Sequence, residues 1–137
     1  MKARQTLLHI EDDPSLQFLF RRLLEREGFQ YHCVPGVEQA KAYVEHHAPF
    51  SDEQQFARPD VIVTDYGLSN GRNAVELIRW LRQRPEFART PIIVLTGAGD
   101  SDMEENAMQA GASAFVVKGV RMNEMMDQLR AAFRTET

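Results

Sequence analysis

The stretch of sequence that most constrains the fold is residues 61–68, which read Val-Ile-Val-Thr-Asp-Tyr-Gly-Leu. A continuous apolar run rich in β-branched residues is typical of a strand buried on both faces, the kind found in parallel sheets. The run leads directly into Asp65, and a charge at the end of a buried strand is costly unless something pairs with it. Because ligands bind at the carboxyl ends of strands in open parallel sheets, Asp65 is a candidate functional residue, although a lone aspartate there also fits a loop cap.

The rest of the chain alternates short apolar runs with amphipathic segments. The apolar runs that we interpret as strands are residues 7–10, 29–34, 61–64, 92–95 and 114–117. The segments that follow them carry apolar residues at helical spacing. Strands alternating with helices in this way predict an α/β fold, a doubly wound, five-stranded parallel sheet with five helices and right-handed crossovers. A length of 137 residues suits a single domain spanning residues 1–137.

Local signals predict where several helices begin and which face they bury. Asp13 precedes Pro14, so aspartate is the expected N-cap and proline the first residue of the first helix. Residues 101–104 read Ser-Asp-Met-Glu, a capping-box pattern that predicts Ser101 as the cap of the fourth helix. The last helix has an apolar stripe at helical spacing, which we expect to be core: Met122, Met125, Met126, Leu129 and Phe133.

Residues 48–59 are polar and rich in turn-forming residues. The segment is longer than most connections in compact domains. We interpret it as a surface loop insertion with a helical turn around residues 53–56. It lies between the second helix and the third strand, so we expect it at the opposite ends of the strands from Asp65.

Composition excludes several classes of protein. Hydrophobic residues make up 43% of the chain and charged residues 26%, which indicates an ordinary globular domain. A net charge of −4 gives no electrostatic reason to expect nucleic acid or an anionic membrane as a partner. Cys33 is the single cysteine, so it forms no intrachain disulfide and its expected role is a small core residue. No apolar run is long enough for a signal peptide or a membrane span, and the cytoplasm is the expected location.

Polar residues follow four of the five predicted strands. They are Glu11 and Asp12 after the first, Asp65 after the third, Thr96 after the fourth and Lys118 after the fifth. In a doubly wound parallel sheet these positions lie along one edge. Three carboxylates placed together repel one another and favour a cation, and a hard, oxygen-rich site with few protein ligands suits Mg²⁺. With a lysine and a threonine hydroxyl beside them, these are the parts needed for phosphoryl transfer. Taken singly, Thr96 could equally be an ordinary β-branched strand residue, and Lys118 could be a solvated residue at the end of a strand.

Four segments in order resemble the receiver domain of the two-component response regulators, in particular single-domain members of the chemotaxis-regulator type. They are residues 10–14, 58–65, 91–97 and 111–118, and the resemblance extends over roughly residues 6–133. It implies a flavodoxin-like fold with strand order 2-1-3-4-5. It also implies a signalling protein rather than an enzyme.

The resemblance assigns the acceptor and metal site. Asp65 is implied as the phosphoacceptor, with a histidine kinase or phosphotransfer protein as the donor and Mg²⁺ as the cofactor. Asp12 is implied as a direct metal ligand, Glu11 as a helper that acts through water, and the carbonyl group of Gly67 as a backbone ligand.

The resemblance also assigns the switch. Thr96 is implied to contact the phosphoryl group and to shift on activation, while Lys118 pairs with that group. Phe115 occupies the place of the aromatic residue whose rotamer follows phosphorylation. The signal then leaves through a downstream protein target or a phosphorelay, with a homodimer as an open alternative.

The chain departs from the usual family pattern at three places. Leu68-Ser69 stands where a Met-Pro pair is usual, Arg72-Asn73 where Asp-Gly is usual, and Gly119 where a proline usually follows the lysine. Because non-proline cis bonds are costly, we expect either a trans peptide bond at Gly119 or an altered turn.

Three other functions compete with this one. A receiver-like binding module that is never phosphorylated is the main alternative. An aspartyl phosphatase of the haloacid dehalogenase type needs a second aspartate two residues after the first, where this chain has Gly67. A flavin or dinucleotide carrier is disfavoured because the turn after the first strand is acidic and lacks glycine.

Overall fold

The computed structural model describes residues 4–97, 99–118 and 122–134. Within these residues one parallel sheet is formed by β1 (Thr6–Ile10), β2 (Gln30–Val34), β3 (Val61–Thr64), β4 (Ile92–Thr96) and β5 (Ala114–Val117). The helices are α1 (Pro14–Arg26), α2 (Val37–Val44), α3 (Ala74–Arg82), α4 (Ser101–Ala110) and α5 (Met122–Arg134). The strand order is β2-β1-β3-β4-β5, which confirms the predicted fold and topology. None of the helices in the described ranges combines the length and the apolar character needed to cross a membrane.

The sheet is buried on both faces because successive side chains of each strand enter different cores. All residues of β1, β3 and β4 are buried. Leu8 and Ile62 belong to the core formed with α2, α3 and α4. Leu7 and Val63 belong to the core formed with α1 and α5. Since a slip of one residue would exchange the two faces, packing on both sides specifies the register that aligns the strand ends.

Two helix starts show where local signals succeed and fail. The Oδ1 atom of Asp13 accepts hydrogen bonds from the backbone N–H groups of Ser15 (2.8 Å) and Leu16 (3.4 Å), as predicted. The prediction that Ser101 caps α4 is wrong by one residue. Asp100 is the N-cap, and its Oδ1 atom accepts from the N–H of Met103 at 2.8 Å. Aspartate and serine are comparable caps, so the capping-box pattern alone does not decide between two adjacent candidates.

The apolar stripe of α5 is confirmed except at its first residue. Met125, Met126 and Leu129 are buried, and the ring of Phe133 packs on that of Phe29 with their centroids 4.9 Å apart. Met122 is instead 44% exposed, and the buried part of the stripe begins at Met125. Cys33 lies half-buried at the margin of the same core.

Residues 48–59 lie mostly on the surface but are fastened to the core by aromatic side chains. The rings of Phe50 and Phe56 lie 5.2 Å apart, and both pack on Tyr43 of α2 with centroid distances of 5.3 and 5.8 Å. The hydroxyl of Tyr43 donates to the carbonyl oxygen of Ala57 at 2.8 Å. The expected helical turn is a single hydrogen-bonded turn, closed by the Phe56 N–H and the Asp52 carbonyl oxygen at 2.8 Å. The loop therefore contributes to packing at the amino ends of the strands.

Replacing Phe56 by alanine should destabilise the protein because the loop loses one of its two aromatic contacts with the core. We expect the free energy of unfolding to fall by about 1–2 kcal/mol, less than for a fully buried phenylalanine. Urea unfolding of Phe56→Ala and of Gln54→Ala measures this. The exposed glutamine is the control and should change stability by less than about 0.5 kcal/mol. Equal stability of both variants would show that the loop does not support the core.

Candidate functional site

The register of the sheet places the polar strand ends side by side. Ile10 is paired with Thr64 across β1 and β3, and Thr64 with Val94 across β3 and β4. The N–H of Asp65 continues the ladder by donating to the carbonyl oxygen of Ile10 at 3.2 Å. The predicted common edge is therefore present, and Asp65 lies at its centre.

Lys118 joins two of the carboxylates at this edge. Its Nζ atom donates to Glu11 Oε1 at 3.0 Å and to Asp65 Oδ2 at 3.3 Å. The three side chains are 13%, 2% and 21% exposed, respectively. The backbone N–H of Lys118 donates to the carbonyl oxygen of Thr96 at 2.6 Å, which fixes the base of the side chain. A charged pair removed from water in this way is weakly screened, so removing one partner would leave an uncompensated buried charge.

Glu11 uses both carboxylate oxygens within the protein. Oε1 accepts from Lys118, and Oε2 accepts from the N–H of Asp13 at 3.2 Å. The carbonyl oxygen of Glu11 accepts from the side-chain amide of Gln17. In the structure Glu11 is thus the ion-pair partner of Lys118, a contact that the strand pattern could not reveal because the pattern does not give the direction of a long side chain.

Asp12 is exposed and meets a residue that the sequence did not single out as part of the site. The hydroxyl of Ser69 donates to Asp12 Oδ2 at 3.1 Å. Ser69 follows Asp65 by four positions, in the loop between β3 and α3. The sequence did hold one signal for this contact. Ser69 stands where the usual pattern has proline, and it brings a hydroxyl donor into the loop.

The donor atoms at this edge fit a hard cation that retains several of its waters. Among residues 4–97, 99–118 and 122–134, no three His, Cys, Asp or Glu side chains are close enough together to hold a metal ion by themselves. Asp65 Oδ1 accepts from the N–H of Tyr66 at 2.8 Å and Oδ2 from Lys118, and each carboxylate oxygen has a second lone pair. Two carboxylates, Asp12 and Asp65, with a backbone carbonyl such as that of Gly67 suit Mg²⁺, which is usually bound by one or two carboxylates and water.

Thr96 and Phe115 lie next to each other beside this edge. Thr96 is buried, and Phe115 is partly buried against the core formed with α2, α3 and α4. A Cβ atom at Gly99 would lie 2.6 Å from the Phe115 ring and 3.2 Å from Thr96 Cγ2. Gly99, which the sequence did not single out, therefore allows the backbone to pass closely over the ring. The turn at Gly119, predicted to have a trans peptide bond or an altered form, lies outside the described residues.

A buried histidine lies behind the ion pair. His9 is 1% exposed, its Nδ1 atom is hydrogen-bonded to the hydroxyl of Tyr31 at 2.5 Å, and its ring packs edge-on against Phe20. Burial, with the nearby charge of Lys118 as a second cause, lowers the pKa of His9 to about 3. The imidazole is therefore neutral at ordinary pH.

The low pKa of His9 makes the protein less stable in mild acid. The unfolded chain binds a proton at His9 below about pH 6.5 and the folded chain does not until about pH 3, so this contribution to stability is complete above pH 6.5 and is lost as the pH falls. Between pH 7 and pH 5 the loss from this residue should be about 2 kcal/mol. Urea unfolding at the two pH values should show a smaller difference in His9→Phe than in the wild type. His47→Gln removes an exposed histidine and should keep the wild-type difference; an equal effect of both variants would contradict the assignment.

Similarity to known proteins relates the chain to one protein family. The model of one protein family, described as the response regulator receiver domain, matches residues 7–130. The chain is 34% identical over 125 residues to the phosphate regulon transcriptional regulatory protein PhoB of Rhizobium meliloti (strain 1021), which covers 91% of this chain and 50% of that protein. The chain spans about half the length of the curated relatives it matches.

Two solved structures illustrate the shared fold. The Mn²⁺-bound form of response regulator Rcp1 superposes with a TM-score of 0.79 at 17% identity and covers 97% of each chain. The chemotaxis response regulator CheY4 of Vibrio cholerae gives a TM-score of 0.77 at 20% identity and covers 94% of this chain and 98% of that one. At these identities the likeness establishes the fold of the chain.

Proposed function

The chain belongs to the response regulator receiver domains of two-component systems, and from this premise we propose that Asp65 accepts a phosphoryl group from a histidine kinase or phosphotransfer protein. Receiver domains are signalling modules that are phosphorylated on an aspartate and bind Mg²⁺ at that site. The observation that carries the proposal is the placement of the Asp65 carboxylate at the sheet edge, with the Lys118 ammonium 3.3 Å from one of its oxygens.

The proposed transfer is a displacement at phosphorus. A carboxylate oxygen of Asp65 forms a bond to phosphorus as the bond from phosphorus to the donor histidine nitrogen breaks, and the departing imidazole takes up a proton. Little covalent chemistry is required of the protein in such transfers, so positioning and charge stabilisation dominate. Lys118 supplies positive charge on the oxygen side, and Thr96, buried beside it, supplies a hydroxyl donor to the phosphoryl oxygens.

The proposed metal site uses Asp12, Asp65 and the carbonyl of Gly67. Bound Mg²⁺ supplies positive charge to the phosphoryl oxygens. Glu11 helps this site through its charge and through water, while its direct partner is Lys118. Glu11 also limits how far the ammonium can move towards solvent, which keeps it within reach of Asp65.

The proposed output is a change in the surface formed by α4, β5 and α5. A phosphoryl group adds charge and acceptor oxygens beside Thr96 and Lys118. If Thr96 moves towards it, the ring of Phe115 gains space on the side that Thr96 occupied. The altered face would be recognised by a downstream protein, by a phosphorelay partner or by a second copy of the chain, and burial of the ring is worth less than the roughly 1.5–3 kcal/mol of a whole side chain.

The acceptor assignment is tested by chemical phosphorylation. Incubation with Mg²⁺ and a small acyl phosphate should raise the intact mass by one phosphoryl group, and Asp65→Asn should abolish this gain because the amide oxygen is a poor nucleophile. Asp60→Asn, at the other end of β3, is the matched control and should be labelled normally. Labelling of Asp65→Asn would place the chemistry elsewhere, and a wild type that is never labelled would favour the unphosphorylated binding module.

The output assignment is tested by amide hydrogen exchange over residues 100–133. Phosphorylation should change protection of this region in the wild type, and the change should be reduced at least about twofold in Phe115→Ala, while labelling of Asp65 is retained. Phe18→Ala removes an exposed ring on α1 and should leave the change intact. A change confined to residues 29–44 would show that the output face is misassigned.

A further inference from the structure

The loop between β3 and α3 reaches across the sheet edge to Asp12. The hydroxyl of Ser69 donates to Asp12 Oδ2 at 3.1 Å. Asp12 is an exposed side chain, so without such a contact its carboxylate would exchange freely among rotamers in water. Ser69 also packs beside the start of α2, where a Cβ atom at Gly36 would lie 4.0 Å from the Ser69 Cβ.

The backbone of the loop forms a closed turn around Ser69. The N–H of Leu68 donates to the carbonyl oxygen of Arg72 at 2.8 Å, and the N–H of Arg72 donates to that of Ser69 at 3.4 Å. The turn uses two left-handed residues, Asn70 with φ of 64° and Gly71 with φ of 70°. Both types adopt this conformation readily, so the turn is formed without unusual backbone cost.

The side chain of Arg72 ties the turn to two helices. Its guanidinium pairs with Glu38 of α2 and with Glu76 of α3, and its Nε atom lies 3.1 Å from Glu76 Oε1. Lys41 of α2 reaches the same Glu76 at 3.8 Å. Single exposed ion pairs contribute little, but a network that joins several charges is more effective. The loop position of Ser69 is therefore supported from both sides.

We infer that Ser69 is a positioning residue for the metal site: its hydroxyl holds the Asp12 carboxylate in the direction needed to bind a divalent cation. The inference rests on the proposed function, since it takes Asp12 as the direct ligand. A hydroxyl donor on Oδ2 leaves Oδ1 and a second lone pair on Oδ2 for the cation. Hydrogen-bond partners of metal ligands orient those ligands and commonly alter affinity by about tenfold or more when removed.

The experiment is a titration of the full chain with Mg²⁺, followed by the amide chemical shifts of residues 65–73 in NMR spectra. Ser69→Ala should weaken Mg²⁺ binding by about threefold to tenfold, less than for a buried ligand partner because water can replace the hydroxyl at an exposed carboxylate. Ser69→Thr retains a hydroxyl and should stay within about twofold of the wild type. Ser51→Ala, the same change in the loop at the other end of the strands, should also stay within about twofold.

The outcomes separate this inference from the proposed function. If Asp12→Ala weakens binding strongly while Ser69→Ala binds like the wild type, or more tightly, the positioning role is wrong and the metal site stands. If Asp12→Ala and Asp65→Asn both keep the wild-type affinity, the metal site and the positioning role are both wrong. The spectra also report whether each variant is folded, so weaker binding by an unfolded protein is not counted as support.

Discussion

The site depends on one lysine that serves two carboxylates at the end of a buried sheet. Lys118 lies between Glu11, which is almost fully buried, and Asp65, which is partly open to solvent. An unpaired carboxylate at the position of Glu11 would be costly, so the ion pair is what allows acidic residues to follow β1 and β3 directly. The lysine can reach both because β5 and β1 end at the same edge, although β3 and β4 lie between them in the sheet.

The neutral state of His9 is related to the positive charge of Lys118. A protonated imidazole behind Lys118 would place a second positive charge next to the first, in a region from which water is excluded. Burial and the lysine both oppose that protonation, and the hydrogen bond to Tyr31 satisfies Nδ1 without a charge. The neutral His9 therefore places no second positive charge beside Lys118.

The sequence predicted the elements of this structure better than it predicted the contacts between them. The apolar run at residues 61–64 identified a buried parallel strand, and the alternation of strands with helices predicted a doubly wound parallel sheet. The strand order itself came from the family resemblance, because the alternation does not specify which strands are neighbours. Helix ends were harder, since Asp100 and Ser101 carry competing capping signals one residue apart. Met122 fits the helical period of α5, but periodicity does not show which residues at the end of an apolar stripe are buried. The pairing of Lys118 with Glu11, and of Ser69 with Asp12, depends on side-chain directions and loop closure, which no short sequence pattern contains.

The geometry implies that phosphorylation of Asp65 would redistribute the contacts of Lys118. Its ammonium has three N–H donors, and two carboxylates accept from it in the structure. A phosphoryl group on Asp65 carries more negative charge than the carboxylate and offers three acceptor oxygens. Such a group would attract the lysine more strongly, while Glu11 would keep the N–H of Asp13 as its second partner. The backbone N–H of Lys118 is bonded to the Thr96 carbonyl, so a displacement that reached the lysine backbone would also affect the end of β4. This hydrogen bond therefore joins the residue that contacts Asp65, the proposed acceptor, to Thr96, which lies beside Phe115.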